Sequence, residues 1–474
     1  MANRPSRRNF LSGAVSFALA GALADRALGA QARRPNIVFI MADDLGYGHL
    51  GCYGQKHIKT PHIDRLAREG MRFTQCYAGS AVCAPSRSVL MTGLHAGHTP
   101  IRANGGGQAL LPADVTVAEV LKGAGYATGT FGKWGLGDWG TTGVPSKQGF
   151  DEYFGYLHQV HAHRYYVDYL WKNDERYPLA GNAGGKRGQY SHDVIMDEAM
   201  GFVRRNRERP FFLYLTLTIP HVELIVPEES MKEYLGKFEE TPFDEPREGY
   251  ADPTHPKATI AAMISHMDRG VGRLMALLKE LGLDEDTLVF CTSDNGAQGG
   301  YGSHPEFFEA TGGLRGVKTQ LYEGGIRVPM IARWPGKIEA GSVSEMPWQH
   351  CDVMATLAEL AGVEAPKETD GISVVPTLLG KSEQRRHEYL YWELQNGPRA
   401  PFQQAVRVGD WKGYRKRAGA AIELYDLKND VAEARDVASR EPEVVEKTER
   451  LMKAARTEPR AQVEPALPGG KKFQ

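Results

Sequence analysis

Two pairs of hard oxygen donors sit where a sheet would deliver them to one place. Asp43-Asp44 follows the apolar run at residues 36–40, and Asp294-Asn295 follows the run at residues 287–291. Such runs read as strands buried on both faces. In an open parallel sheet, ligands gather beyond the carboxyl ends of the strands. Three carboxylates brought to one edge repel one another unless a cation neutralises them. With the Asn295 amide oxygen they form an oxygen-only set, suited to Ca²⁺ or Mg²⁺ and not to zinc. Asn295-Gly296 could instead be a turn and Asp43-Asp44 a capping loop. Their coincidence at two matching strand ends favours the metal.

Cationic and nucleophilic groups lie in comparable places. Lys133 stands in Gly132-Lys133-Trp134-Gly135-Leu136-Gly137, and Lys318 in Leu314-Arg315-Gly316-Val317-Lys318. His221 comes just after the apolar run at residues 211–218. An isolated lysine is usually a solvated surface group, but both of these lie in glycine-rich loops at strand ends, where functional groups concentrate. Cys83-Ala84-Pro85-Ser86-Arg87 precedes the apolar Val89-Leu90-Met91. On its own, Cys83 reads as a buried free cysteine.

Strands must carry these residues. Residues 36–40, 127–131, 211–218, 287–291 and 328–333 read as buried strands. Residues 60–70, 115–122, 193–206 and 259–281 read as helices, the first with Thr60 as cap and Pro61 in its first turn. The alternation predicts an α/β fold: a large, mostly parallel sheet sandwiched by helices. Residues 33–380 form the expected catalytic domain. Beyond residue 380, short strands at 388–392, 404–407 and 422–426 and a helix at 444–455 predict a C-terminal subdomain, residues 381–474, with a small antiparallel sheet and a frayed tail. Residues 222–257, proline-rich and acidic, read as a surface excursion, and no internal repeat is found.

The chain has 474 residues, 42% of them apolar, enough for a large core and two domains. Its net charge of −1 argues against a nucleic-acid or membrane-surface role driven by global charge. Residues 1–32 read as a twin-arginine export signal: Ser6-Arg7-Arg8-Asn9-Phe10-Leu11, then an Ala- and Gly-rich apolar stretch interrupted by Asp25-Arg26. That predicts a periplasmic or secreted bacterial protein with no retained membrane span. The five cysteines show no Cys-x-x-Cys spacing, which argues against a thiolate zinc site and leaves any disulfide pairing open.

Taken together, the motifs resemble the type I sulfatases, the arylsulfatase A-like family of the alkaline phosphatase superfamily. The resemblance spans roughly residues 35–430 and rests on Cys83-x-Pro85-x-Arg87, the Gly-Lys-Trp segment, Pro220-His221, the two acidic pairs and the basic segment at residues 314–329. It implies that Cys83 is oxidised to formylglycine (3-oxoalanine) by a formylglycine-generating enzyme, and that its hydrate attacks sulfur. It implies Ca²⁺, or Mg²⁺, held by Asp43, Asp44, Asp294 and Asn295 with the modified Cys83. Lys133 and Lys318 would clamp sulfate oxygens, His221 would act at the leaving-group oxygen, and Arg87 would steady the formylglycine.

The expected reaction is hydrolysis of a sulfate monoester, most plausibly on a sulfated saccharide. An aryl sulfate is the alternative substrate. The alternative activity is phosphomonoester or phosphodiester hydrolysis of the same superfamily, and a catalytically inert carbohydrate-binding relative is the non-enzymatic one. Aromatic and basic segments at Trp139, His161-Ala162-His163-Arg164-Tyr165-Tyr166 and Trp392-Glu393 suit a sugar, or pack. One departure stands out: the family has histidine two residues after the lysine, where this chain has Gly135. The family histidine is thought to take the hydrate's proton. His163, or less favourably His161, is expected to replace it, with Arg164 beside it at the substrate.

Overall fold

The computed structural model describes residues 34–104, 108–241, 250–251 and 254–460. Residues 1–32, read above as an export signal, and the end of the C-terminal tail lie outside them. The main sheet contains, in chain order, β1 (Asn36–Asp43), β2 (Met71–Tyr77), β3 (Ala127–Lys133), β4 (Glu152–Tyr156), β5 (Tyr169–Lys172), β6 (Glu175–Pro178), β7 (Phe211–Pro220), β8 (Thr287–Ser293), β9 (Arg327–Arg333), β10 (Ser342–Ser344) and β11 (Trp348–Gln349). Its spatial order is β10-β2-β9-β8-β1-β7-β3-β4-β5-β6, with β11 also on β2. The five central strands, β8 to β4, run parallel, whereas β9 is antiparallel to both its neighbours. The sheet is therefore mixed at its flanks and parallel where the site residues emerge.

Every residue of β1 is buried. Strand alternation sends Val38 and Ile40 into one core layer and Ile37, Phe39 and Met41 into the other. Helices α1 (Pro61–Arg68), α4 (Ser191–Asn206) and α5 (Pro256–Glu280) belong to the first layer. Helices α2 (Cys83–Thr92), α3 (Val117–Gly123) and α6 (Asp352–Ala361) belong to the second. Thr116 closes a capping box with Glu119 at the start of α3. Thr60 precedes α1 as expected, but its hydroxyl accepts from the Gly51 amide and donates to Asp64 instead of capping the helix. No helix among the described residues is long and apolar enough to cross a membrane. All five cysteines are free.

A separate antiparallel sheet holds β12 (Leu390–Leu394), β13 (Gln403–Val408), β14 (Trp411–Arg415) and β15 (Glu423–Asp426), with helix α7 (Pro442–Ala454) packed on it. A buried charge cluster ties it to the main sheet. Lys412 of β14, fully buried, lies 3.0 Å from Glu323 and 2.9 Å from Glu433. Glu323 also accepts from the Tyr77 hydroxyl at 2.7 Å. Burial works against the charge on Glu323, but Lys412, Arg327 and Arg407 outweigh it and bring its pKa from 4.5 down to about 2. Burial dominates for Glu433, which rises from 4.5 to about 7.

Lys412→Met, which leaves two carboxylates buried around an apolar side chain, is expected to cost about 3–5 kcal/mol in a denaturant titration at neutral pH. The Glu323 contribution is complete above its unfolded value of 4.5 and is lost as pH falls towards 2. Glu433 has the opposite sign, because its charged form is the disfavoured one, and it costs stability as pH rises from 4.5 through 7.

Candidate active site

Four parallel strands end at one edge. Asp43 closes β1, Lys133 closes β3, His221 follows Pro220 of β7, and Asp294 follows Ser293 of β8. The register sets Asp43 beside Pro220 and Ala42 beside Ser293. Asp44 takes a left-handed φ of 67°, a conformation Asp tolerates better than most residues. The Asn295-Gly296 pair is a close approach: a Cβ on Gly296 would lie 1.9 Å from the Gly324 carbonyl oxygen. Helix α2 starts at Cys83, so Cys83 occupies its first turn and Asn104 accepts the Ala84 amide at 2.9 Å.

All four metal candidates are fully buried. Asp43 Oδ1 lies 3.3 Å from Cys83 Sγ, and Asp43 Oδ2 lies 2.5 Å from Lys133 Nζ. Asn295 Nδ2 donates to Asp44 Oδ1 at 2.8 Å, and Lys318 Nζ donates to Asp44 Oδ2 at 2.8 Å. Arg87 donates through Nε and Nη2 to Asp294 Oδ2 at 3.1 and 2.8 Å, and through Nη1 to the Lys133 carbonyl at 2.5 Å. The His221 Nδ1–H donates to the Val222 carbonyl at 2.6 Å, leaving Nε2 to face Asp44 Oδ2 at 3.6 Å. The structure thus brings together Asp43, Asp44, Cys83, Arg87, Lys133, His221, Asp294, Asn295 and Lys318.

The donor set fits a hard divalent cation. Asp43, Asp44, Cys83 and His221 offer ligand atoms within 4.8 Å of one another, and Asn295 Oδ1 is a buried acceptor with no hydrogen-bond partner. An orphaned buried acceptor among carboxylates is what a cation satisfies. Burial and neighbouring charges set the protonation of these groups. Burial opposes ionisation of Asp43, yet Lys133, His221 and Arg87 hold it well below the usual carboxylate range. Burial, reinforced by Asp43, raises Asp44 and brings Asp294 to about 6. Burial and then Lys318 push His221 well below the usual imidazole value. Burial, then Asp43, pushes the Cys83 thiol up.

Residues 35–363 match the family model described as Sulfatase, and residues 317–459 match N-sulphoglucosamine sulphohydrolase, C-terminal. The chain belongs to the sulfatase family. It is a sulfuric ester hydrolase. It is 30% identical over 519 residues to an N-acetylgalactosamine-6-O-sulfatase of Bacteroides thetaiotaomicron, covering 90% of this chain and 94% of that protein. It is 33% identical over 432 residues to arylsulfatase A of Homo sapiens, covering 83% and 77%. The crystal structure of Ps i-CgsB with k-i-k-neocarrahexaose superposes with a TM-score of 0.74 at 28% identity, covering 92% and 94%.

Around Gly135 the sulfatase holds a residue that motif reading passed over. A Cβ on Gly135, which has φ +78°, would lie 2.2 Å from Gln159 Nε2, so this amide fills the space that a side chain at 135 would need. Gln159 Nε2 is buried and unpartnered. The signal for it lay only in the absence at 135. His163 stands elsewhere: its ring stacks on His221 with centroids 4.5 Å apart, and its Nδ1 lies 2.6 Å from the Tyr250 hydroxyl. Burial, then His221 and Lys133, brings its pKa from 6.5 to about 2. His161 packs on Tyr156 and Tyr169, away from that stack. Arg164 is exposed over the Tyr250 ring. Trp392 and Glu393 are packing residues: Trp392 is fully buried and donates to the Ala78 carbonyl, and Glu393 binds Arg102 and Arg456.

Adding saturating CaCl₂ should raise the melting temperature of the wild type, by an amount corresponding to about 2.7 kcal/mol at a hundredfold excess over Kd. Asp294→Ala and Asn295→Ala should each lose most of that shift. An unchanged shift in both variants would place the ion elsewhere.

Proposed function

We propose that this sulfatase hydrolyses the sulfate monoester of a carbohydrate, with Cys83 matured to formylglycine and a Ca²⁺ or Mg²⁺ ion held by Asp43, Asp44, Asp294 and Asn295. The observation that carries the reading is the convergence of two lysines, an arginine and a histidine with the two acidic pairs around Cys83. When present, the aldehyde hydrate supplies a hydroxyl nucleophile and the cation lowers its pKa.

The chain's own groups do the rest. Lys133 and Lys318 neutralise the non-bridging sulfate oxygens in a water-poor site, where their charge counts most. Arg87, committed to Asp294, fixes the first turn of α2 and with it Cys83. His221 keeps Nδ1–H on Val222 and turns Nε2 to the site. The single negative charge of an arriving sulfate monoester favours the protonated ring, which then gives its proton to the leaving oxygen. His163, stacked on His221, is the group we assign to take the hydrate's proton after the alcohol leaves. Gln159 fills the space at Gly135 without a proton to exchange.

A carbohydrate is favoured over an aryl sulfate by the named N-acetylgalactosamine-6-O-sulfatase relative and by exposed cationic and aromatic groups near the site. We further assign residues 1–32 to twin-arginine export, which moves folded protein and so permits maturation of Cys83 by a formylglycine-generating enzyme beforehand.

In protein made with that maturing enzyme, the Cys83 peptide should show the mass of an aldehyde in place of the thiol, and Cys83→Ala should abolish turnover. Fully active protein with an intact thiol would defeat the proposal. Nitrophenyl sulfate should be preferred to nitrophenyl phosphate by kcat/KM, and the reverse preference would support the phosphatase reading. For His163, rapid-quench kinetics decide: His163→Ala should release one equivalent of alcohol quickly and then stall, whereas near-normal steady-state turnover would exclude the assignment.

A further inference from the structure

One exposed surface next to the site combines rings and a cation in a way its charge balance does not require. In the β5–β6 hairpin, Trp171 pairs with Arg176, and Tyr169 lies two residues before Trp171, so these three side chains share one face. The Arg176 guanidinium carbon lies 4.5 Å from the centroid of Tyr169 and 5.6 Å from that of Trp171. Arg176 is exposed, and among the described residues no carboxylate forms an ion pair with it. Its neighbours Lys172 and Glu175 point to the opposite face, where Lys172 meets Tyr177 and Glu198. Two rings therefore hold a guanidinium facing solvent, and cation–π contact fixes its plane without using its hydrogen-bond donors.

The surface continues in both directions. Trp139, in the loop that follows Lys133, is 44% exposed and nearly parallel to Trp171, with centroids 6.3 Å apart and 20° between planes. At the other end Tyr169 packs on His161 at 4.7 Å, and His161 packs on Tyr156 at 5.1 Å. His161 and His163 belong to one short 3₁₀ turn, and His163 stacks on His221. Burial, then His158, and after them Arg176 and Arg164, bring the His161 pKa from 6.5 to about 4.

The sheet sets the distance. Gly132 pairs with Gly155, Gly155 with Trp171 and Trp171 with Arg176. Arg176 thus stands three strand spacings from the strand that carries Lys133, about 14 Å. A single sugar held at Lys133 does not span that gap, but a chain of several sugars does.

We propose that Trp139 and Arg176, seated on the buried Trp171 ring and the half-buried Tyr169 ring, form a distal binding site for a sulfated saccharide chain, in which the exposed Trp139 ring receives a sugar face and Arg176 receives a sulfate group remote from the reacting ester. This rests on the carbohydrate sulfatase reading and deepens it: the substrate is an oligomer or polymer, not a monosaccharide. A guanidinium binds sulfate through a fork of two hydrogen bonds, and an aromatic face accepts the apolar face of a sugar ring.

Affinity electrophoresis of the Cys83→Ala protein tests the site without turnover. Gels containing iota-carrageenan, chondroitin sulfate, fucoidan or dextran sulfate serve as probes, with unsulfated dextran as control. At least one sulfated probe should retard the protein, and Arg176→Gln and Trp139→Ala should each weaken that retardation about tenfold. In matured enzyme, the same variants should lower the ratio of kcat/KM on a sulfated oligosaccharide to kcat/KM on nitrophenyl sulfate by a similar factor. Retardation by no sulfated probe, equal retardation by dextran, or undiminished retardation of both variants would overturn the site. Failure of the matured wild type to cleave any sulfate ester would instead overturn the reading on which it rests.

Discussion

The buried Arg87 guanidinium holds the site together. It is 1% exposed, and each of its three nitrogens donates a hydrogen bond within the protein. Two bonds go to Asp294 beyond β8, one goes to the last carbonyl of β3, and Asp43 at the end of β1 lies 3.6 Å away. A charge so deeply buried persists only if it is paired and fully hydrogen-bonded. That requirement locks three strand ends and the start of α2 into one geometry. Cys83, one helical turn before Arg87, is placed by the same constraint.

The electrostatics of the pocket follow from this packing. Asp43, Asp44 and Asp294 face Arg87, Lys133 and Lys318, and these six groups share the same few ångströms. Their pKa shifts diverge because the cations are distributed unevenly. Asp43 has most of them, whereas burial dominates at Asp44 and Asp294. The lysines that would meet a sulfate group are the ones that now balance aspartates. A cation among the carboxylates and an anion at the lysines therefore each relieve the cost of burying the other.

The second sheet takes part in this arrangement through the loop that bears Lys318. The Lys318 amide bonds the Ala297 carbonyl, two residues after Asn295, and Gly324 bonds back to Arg315. Five residues after Lys318, Glu323 enters the cluster with Lys412 of β14. The small sheet thus anchors the far end of the loop that bears Lys318, which gives its buried ion pairs a role in positioning as well as in stability.

Strand-forming runs were legible in the chain because a buried parallel strand needs apolar residues on both faces, as at residues 36–40 and 287–291. The acidic pairs were legible because they directly follow such runs. The short flanking strands β4, β5 and β6 were not, since their residues mix aromatic, charged and glycine positions and take their conformation from neighbours. Trp139 and Trp392 look alike in the sequence, yet one is exposed and the other buried under Ala78. By itself the sequence determined the chemistry available: which groups can carry charge, donate protons or hold a cation, and which strands bear them. Only the tertiary structure decided how space is allotted. Gln159 fills the room beside Gly135, His163 stacks on His221, and Arg176 rests between rings, because contacts between residues far apart in the chain depend on packing that local sequence does not encode.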